Sequence, residues 1–304
     1  METLKNKIDF AVIVCVNNAN PNGDPLNGNR PRVNYDGSGE LSDVCIKRKI
    51  RNRLMEAGHA IFVQSDDNRV DDYRSLRSRA EGVLKVDMKD DKKYREAACK
   101  EWIDVRAFGQ VFAYKGSGKK GKAAKEGFEG GEGKGDDAGV SIGIRGPVSI
   151  HPAFSVAPVN DRVSSIQITK SVSGEGDGTK RASDTMGMKH RVDHGVYVFY
   201  GSMNPQLATK TGFSDNDADA IKETLRTLFQ NDASSARPEG SMEVHKVYWW
   251  EHNLKNGQYS SAKVHRSLDV KVKEGVTEPK DITNDYGITL HELPGLKPEI
   301  IDGL

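Results

Sequence analysis

Three basic side chains, Lys47, Arg48 and Arg51, fall within five residues of DVCIKRKIRNR. On a helix, at roughly 100° per residue, they share one arc. Clustered cations of this kind hold phosphate groups. Just upstream, Asn20, Asn22 and Gly23 lie in NNANPNGDP, which offers amide side chains and backbone N–H groups, and Arg30 and Arg32 follow. From Arg30 to Arg53 there are seven basic and three acidic residues. One reading is a phosphate-backbone surface. The other is a solvated helix face whose long side chains lie along the core. Arg145, Lys170, Arg181 and Lys189 are further candidates, in a 140–191 segment with seven basic and four acidic side chains. Other reactive groups are scattered. Asp66, Asp67, Asp71 and Asp72 invite a metal reading. They lack an accompanying histidine or fixed spacing, and interleaved Arg69, Arg74, Arg77 and Arg79 make them read as ion-paired surface. His190 and His194 are four apart, as a helical metal pair would be, but they run into a strand pattern with no carboxylate in the HExxH position.

The elements that position these groups follow from periodicity and breakers. Ile8 to Val16 is a short β-branched apolar run, hence a buried strand. Asn-Pro, Asn-Gly and Asp-Pro then force turns. Ser42 or Asp43 caps a helix that Gly58 ends, with Ile46, Ile50, Leu54 and Ala57 toward the core and Lys49 and Arg53 flanking that stripe. Residues 59–100 read as a solvated, charge-mixed surface. Glu101 to Tyr114 reads as a helix weakened by Gly109, with Arg106 as a structural or ligand-binding cation. Residues 115–139 are a Gly/Lys-rich linker with too few apolar residues to offset ordering entropy. Val140 to Ile150 reads as a strand with an edge or bulge at Arg145-Gly146-Pro147. Val163 to Val172 alternates like one arm of a hairpin with a GEGDGTK tip. Val196–Met203 and Met242–Glu251 are strands, with a helix over Phe213–Asn231 between them. Trp249 and Trp250 read as aromatic core or subunit contact rather than base-stacking groups. Residues 263–304 form a tail of short segments. Outside the insertions the order is β-α-β-β-α-β, the ferredoxin-like arrangement of an α+β fold, which the RNA-recognition motif also uses.

Composition narrows the function classes. With 304 residues, 36% hydrophobic and 29% charged, the chain supports one large domain or two small ones. No apolar run approaches a membrane span, and METLKNKIDF has no signal-peptide pattern. Three widely spaced cysteines, Cys15, Cys45 and Cys99, suit a reducing cytoplasm better than a disulfide framework. A net charge of +1 argues against a uniformly basic nucleic-acid coat, so phosphate binding needs a local groove offset by acidic surface elsewhere. No cofactor or metal is expected.

ANPNGDP after the first strand, followed by DVCIKRKIRN, resembles the backbone subunit of the type I-C CRISPR surveillance complex Cascade, in the RAMP superfamily. Further segments resemble it in order: DVRAFGQVF, SIGIRGPVSI, MGMKHRVDHGVYVFYGSMN, TGFSDND, NDASSARPEGSM and VYWWEH. The resemblance implies an RRM-like palm, many copies stacked along a CRISPR RNA, contacts with other Cascade subunits, and no catalysis. The RNA would then present its bases to a target DNA strand, delegating sequence reading to base pairing. The expected architecture is a palm of residues 1–58, 140–152 and 192–304, a fingers-like insertion at 59–139, and a thumb-like hairpin at 153–191. The resemblance implies that this thumb displaces a base at each subunit junction, which needs an apolar wedge; Ile168, Met186 and Met188 are candidates. The chain lacks the aromatic RNP sequences of ordinary single-strand readers, so backbone holding is the favoured mechanism.

Two other functions compete. A ferredoxin-like endoribonuclease that processes the CRISPR transcript would use His59, His151 or His190 as general base. A protein-only scaffold would form discrete oligomers without nucleic acid.

Overall fold

Strand β1 (Ile8–Ala19) is apolar along most of its length because both of its faces are buried. In this computed structural model, which describes residues 2–114, 140–159, 163–170 and 185–304, Phe10, Val12, Val14 and Val16 point into one core and Ala11, Ile13 and Cys15 into another. The predicted 115–139 linker and Arg181 lie outside the described residues.

After β1 come a ribbon of β2 (Gly23–Asp24) and β3 (Arg30–Pro31), then β4 (Ser38–Leu41) and helix α1 (Asp43–Glu56). Ser42 caps α1 by accepting the Cys45 N–H, and Gly58, at φ +86°, follows its end as expected. Ile46, Ile50 and Leu54 are buried, but Ala57 is exposed at the C-cap and not on the packed stripe. Next are α2 (Leu76–Leu84), α3 (Asp91–Glu101), α4 (Ile103–Phe108), β5 (Gly109–Tyr114) and β6 (Val140–Arg145). They are followed by β7 (Val148–Ile150), β8 (Ala153–Pro158), β9 (Val163–Lys170) and the long β10 (Thr185–Met203). Then come α5 (Pro205–Thr211), α6 (Asp215–Arg226), β11 (Met242–Glu251), α7 (Ser261–His265), β12 (Leu268–Val272), α8 (Ile282–Asp285), β13 (Tyr286–Leu290) and β14 (Glu299–Asp302).

The large sheet runs β14-β11-β1-β10-β8-β4, with antiparallel neighbours throughout. Its centre, β11-β1-β10-β8, with α1 and α6 on one face, is the β-α-β-β-α-β palm in ferredoxin-like spatial order. The opposite face is covered by α7 and the β12–β13 hairpin, which supply Val264, Leu268 and Tyr286 to the second core. The tail thus closes the palm, and β14 extends the sheet beside β11. β9 and the first half of β10 form the expected hairpin. β8, placed in the thumb from sequence, is instead a strand of the large sheet, held between β10 and β4.

Residues 59–114 depart most from expectation. Residues 59–100 are not merely the expected solvated surface: Phe62, Tyr94 and Ala98 join Trp102, Phe112 and, from β6, Ile142 in a third core. The predicted helix over 101–114 stops at Phe108, because Gly109 takes φ +81° and turns the chain into β5. The predicted 140–150 strand splits at Gly146-Pro147, with β6 pairing β5 and β7 pairing β10. A Cβ on Gly109 would lie 2.3 Å from the Ile144 carbonyl oxygen, on top of the unfavourable φ. A Gly109→Ala variant should therefore lose at least 1–3 kcal/mol of stability, roughly the cost of one strained backbone position. Equilibrium denaturation checks this.

Candidate nucleic-acid interface

The end of β1 is where most of the candidate residues meet. Asn20 is buried. Its amide Nδ2 donates to the Asn29 carbonyl at 2.7 Å, and its backbone N–H to the Ala236 carbonyl at 2.9 Å. Asn22 Oδ1 accepts the Ser42 N–H at 2.9 Å, which joins the ribbon to the cap of α1. Gly23 is glycine for lack of space: a Cβ there would sit 2.0 Å from Asn29 Oδ1. These residues build the loop. Arg30 is exposed and makes no ion pair among the described residues, whereas Arg32 is half-buried with Asp24 Oδ1 3.6 Å away. The β3 strand packs on β10, where Arg30 faces His190. Burial, with the Arg30 charge adding to it, pulls the His190 imidazole below its ordinary range.

The cations of α1 are largely engaged within the chain. Lys47 Nζ lies 3.0 Å from Asp43 one turn back, with water access. Arg48 Nη1 donates to the Val63 carbonyl at 2.6 Å. Arg51 Nε donates to Asp104 Oδ2 at 3.0 Å and its guanidinium lies over the Phe108 ring. Lys49 is buried against Asp232 and the Phe229 ring, while Arg53 reaches Glu56 and Thr227. A helical wheel places these cations correctly in angle but is silent about partners distant in sequence.

Lys189 is half-buried and Met188 is 63% exposed on β10, beside the backbone of β9; of Lys170, Ile168 and Met186 only the strand positions are described. Arg145 is exposed at the far end of the sheet, in a shallow cleft with Lys7, Asn204 and Asn256. Lys7 precedes β1 and Asn20 follows it, so about 35–40 Å of strand separates Arg145 from the ribbon.

The remaining chemical candidates resolve as structure. Asp71 forms a bidentate pair with buried Arg79, 2.7 and 2.9 Å. Arg106 makes the same kind of pair with Asp217, 3.0 and 2.7 Å. Among the described residues no group of three acidic, histidine or cysteine side chains is arranged to hold a metal. His59 follows α1, His151 lies between β7 and β8, and His190 is on β10. Trp249 and Trp250 are buried, Trp249 stacking on Phe10 at 5.6 Å, so neither offers a face to a base.

One polar centre is not foreseen from the sequence. Asp9 is fully buried in β1. Its Oδ2 accepts from His252 Nε2 at 2.9 Å and lies 3.1 Å from Lys7 Nζ; its Oδ1 lies 3.5 Å from His265 Nε2. Burial alone would raise this carboxyl, but hydrogen bonds from His252, His265 and Ser261, with the Lys7 charge, hold it well below the usual carboxylate range. The visible signal is an acid inside an apolar run.

The family model for CRISPR-associated protein Cas7 matches residues 6–291. The chain belongs to the Cas7 family. The match begins just before β1 and ends just after β13, so it takes in the palm, its α1 and α6 layer, the 59–114 core and the tail hairpin, and leaves out only β14. A CRISPR-associated protein Cas7 from Haloferax volcanii is 25% identical over 237 residues, 77% of this chain and 67% of that one. Among solved structures, a chain of a pre-nicking CRISPR RNA-guided surveillance complex aligns with TM-score 0.44 and 14% identity, over 90% of this chain and 84% of the other. A second surveillance-complex chain aligns with TM-score 0.39 and 16% identity, over 80% and 68%. Among the described residues of this Cas7 chain, no helix is long and apolar enough to cross a membrane.

Proposed function

We propose that this Cas7-family chain is a non-catalytic, cytoplasmic backbone subunit of a type I-C Cascade. Copies stack along a CRISPR RNA, hold its phosphates, and leave its bases free to pair with a target DNA strand, in contact with other Cascade subunits. The family match across residues 6–291 carries this reading. The geometry supports it in one respect: an Asn/Gly ribbon, exposed Arg30, the N-terminus of α1 with Lys47, and the foot of the β9–β10 hairpin with Lys189 converge at one end of the sheet. We assign phosphate contact to this end, with Arg30, Lys47 and Lys189 foremost and Lys170 at the end of β9; Arg181, a candidate from the sequence, lies outside the described residues. Arg145, at the opposite end of β1, serves a second stretch of strand or a neighbouring subunit. Arg48 and Arg51 act mainly by holding the 59–114 core in place.

The test is RNA affinity against salt. An Arg30→Ala/Lys189→Ala variant should bind single-stranded RNA more weakly at every sequence. Its slope of log affinity against log salt should fall by about 0.7 for each phosphate that is no longer neutralised. Unchanged affinity and slope in a folded variant would sink the assignment. Specific cutting of repeat RNA by this chain alone would overturn the non-catalytic reading. Assemblies indifferent to nuclease would point to a protein-only scaffold.

A further inference from the structure

Between β3 and β4 the chain makes a second reversal, with Tyr35 and Asp36 at its tip. Glu40 N–H donates to the Arg32 carbonyl at 2.9 Å, Val33 bridges Gly39, and Asn34 N–H donates to the Ser38 carbonyl at 2.8 Å. The turn closes with Gly37 N–H on the Asn34 carbonyl at 3.0 Å, Gly37 taking φ +83°, the left-handed conformation that three-residue hairpin loops require. Asp36 turns back to accept the Ser38 N–H at 2.9 Å, which holds its carboxyl below the ordinary range. The Gly37 carbonyl accepts from Val159 N–H at 2.8 Å, pinning the turn beside the end of β8, where the chain leaves for the β9–β10 hairpin.

On this fixed turn stands Tyr35, 111% exposed relative to a free residue and stacked on no other ring among the described residues. A tyrosine normally buries 150–250 Å². Here the turn gives it no route back to the core. Tyr35 lies in the same Asp24–Lys47 stretch as Arg30 and Lys47, the cations assigned above to phosphate, with Asp24, Asp36, Glu40 and Asp43 interspersed. An exposed π face on a hydrogen-bonded turn, close in sequence to those cations, suits a second kind of contact. Every nucleobase offers a flat face, and stacking needs no net charge.

We propose that Tyr35 is a stacking platform for an unpaired base of a bound single strand. This rests on the RNA-holding reading above and adds to it a contact to a base where that reading has contacts only to phosphate. Exposed Leu26 and Val44 flank the same stretch, so contact with a second copy of the chain is the competing occupant.

The experiment uses the full chain and a fluorescently labelled single-stranded RNA, with a matched oligonucleotide carrying abasic sites. Tyr35→Ala should weaken binding to the normal RNA by roughly tenfold, with an unchanged salt slope. Tyr35→Phe should stay within about twofold of the parent, and the difference between parent and Tyr35→Ala should vanish on abasic RNA. Melting curves of both variants should overlay the parent, since Tyr35 supports no packing. If the parent binds RNA with a normal salt slope and Tyr35→Ala binds as tightly, the stacking proposal falls and the RNA reading stands. If the parent binds no RNA, both fall. Loss of self-association in Tyr35→Ala with unchanged RNA affinity would assign the ring to a neighbouring copy and overturn the proposal.

Discussion

An Asp9→Ala variant should lose about 3–5 kcal/mol of folding stability, the cost of stranding buried charged partners, and roughly 10 °C of melting temperature at this chain length. Asp9 is the single acid within the Ile8–Val16 run and is fully buried. Its partners come from three places: Lys7 just before β1, His252 just after β11, and His265 at the end of α7. Gln258 N–H donates to His252 Nδ1 at 2.9 Å, so the proton of a neutral imidazole sits on Nε2 and points at the carboxylate. Removing the carboxylate leaves that N–H without its acceptor at a fully buried site and leaves the Lys7 ammonium with the Tyr259 carbonyl but no counter-charge there. An apolar replacement of the whole cluster can be nearly neutral, whereas breaking one member is costly. A double-mutant cycle separates the two cases: adding His252→Phe to Asp9→Ala should cost less than the sum of the single changes. Strict additivity would mean that the pair is not coupled.

The same group has a defined pH signature. The folded carboxyl is held below its unfolded value, so its contribution is fully present above about pH 4, the unfolded carboxylate range. It disappears as pH falls toward the folded value, at up to about 1.4 kcal/mol per pH unit. The stability gap between parent and Asp9→Ala should be flat from pH 7 to pH 5 and narrow below about pH 4. A gap that widens below about pH 4, where the carboxyl itself protonates, would contradict a charged Asp9 in the fold.

How far the sequence carries depends on the range of the interaction. β11 is legible to its observed limits, Met242–Glu251, and the start of α6 to a cap at Ser214 or Asp215, of which the structure uses Ser214, because alternation and capping are local; the expected end of that helix at Asn231 overshoots the observed one at Arg226. The apolar run of β1, interrupted only by Asp9, marks it as buried, although the run says nothing of what covers each face. The boundary at Phe108 is hidden because an apolar spacing compatible with a helix is also compatible with a strand once Gly109 adopts a positive φ. Asp9 is obscured for a different reason: the residue is conspicuous, but His252 lies 243 positions away. The α1 cations show the same limit. Their common arc is legible at once, and their partners, at Val63, Asp104 and Asp232, are not.

Those partners make Arg51→Ala the sharpest discriminator between a phosphate contact and an internal clamp. Asp104 is buried, and its oxygens accept Phe62 N–H at 2.7 Å, Val63 N–H at 3.0 Å and Arg51 Nε at 3.0 Å. Arg48 holds the carbonyl of the same Val63. Arg48 and Arg51 thus grip one residue, Val63, at the entrance to the 59–114 core by both its N–H and its C=O, through Asp104 and directly. Truncating Arg51 leaves a buried carboxylate with backbone N–H groups as its remaining partners, and strips the cation from the Phe108 face. The expected loss is about 3–5 kcal/mol, expressed first as local opening rather than global unfolding. Amide exchange should accelerate across 59–114 while β1, β10 and β11 stay protected. Arg51→Lys should recover only part of the loss, because an ammonium reproduces neither the planar stacking nor the directed N–H of a guanidinium. If instead Arg51→Ala melts with the parent, exchanges like it, and lowers only the salt slope of RNA binding, then Arg51 touches phosphate and the clamp is wrong.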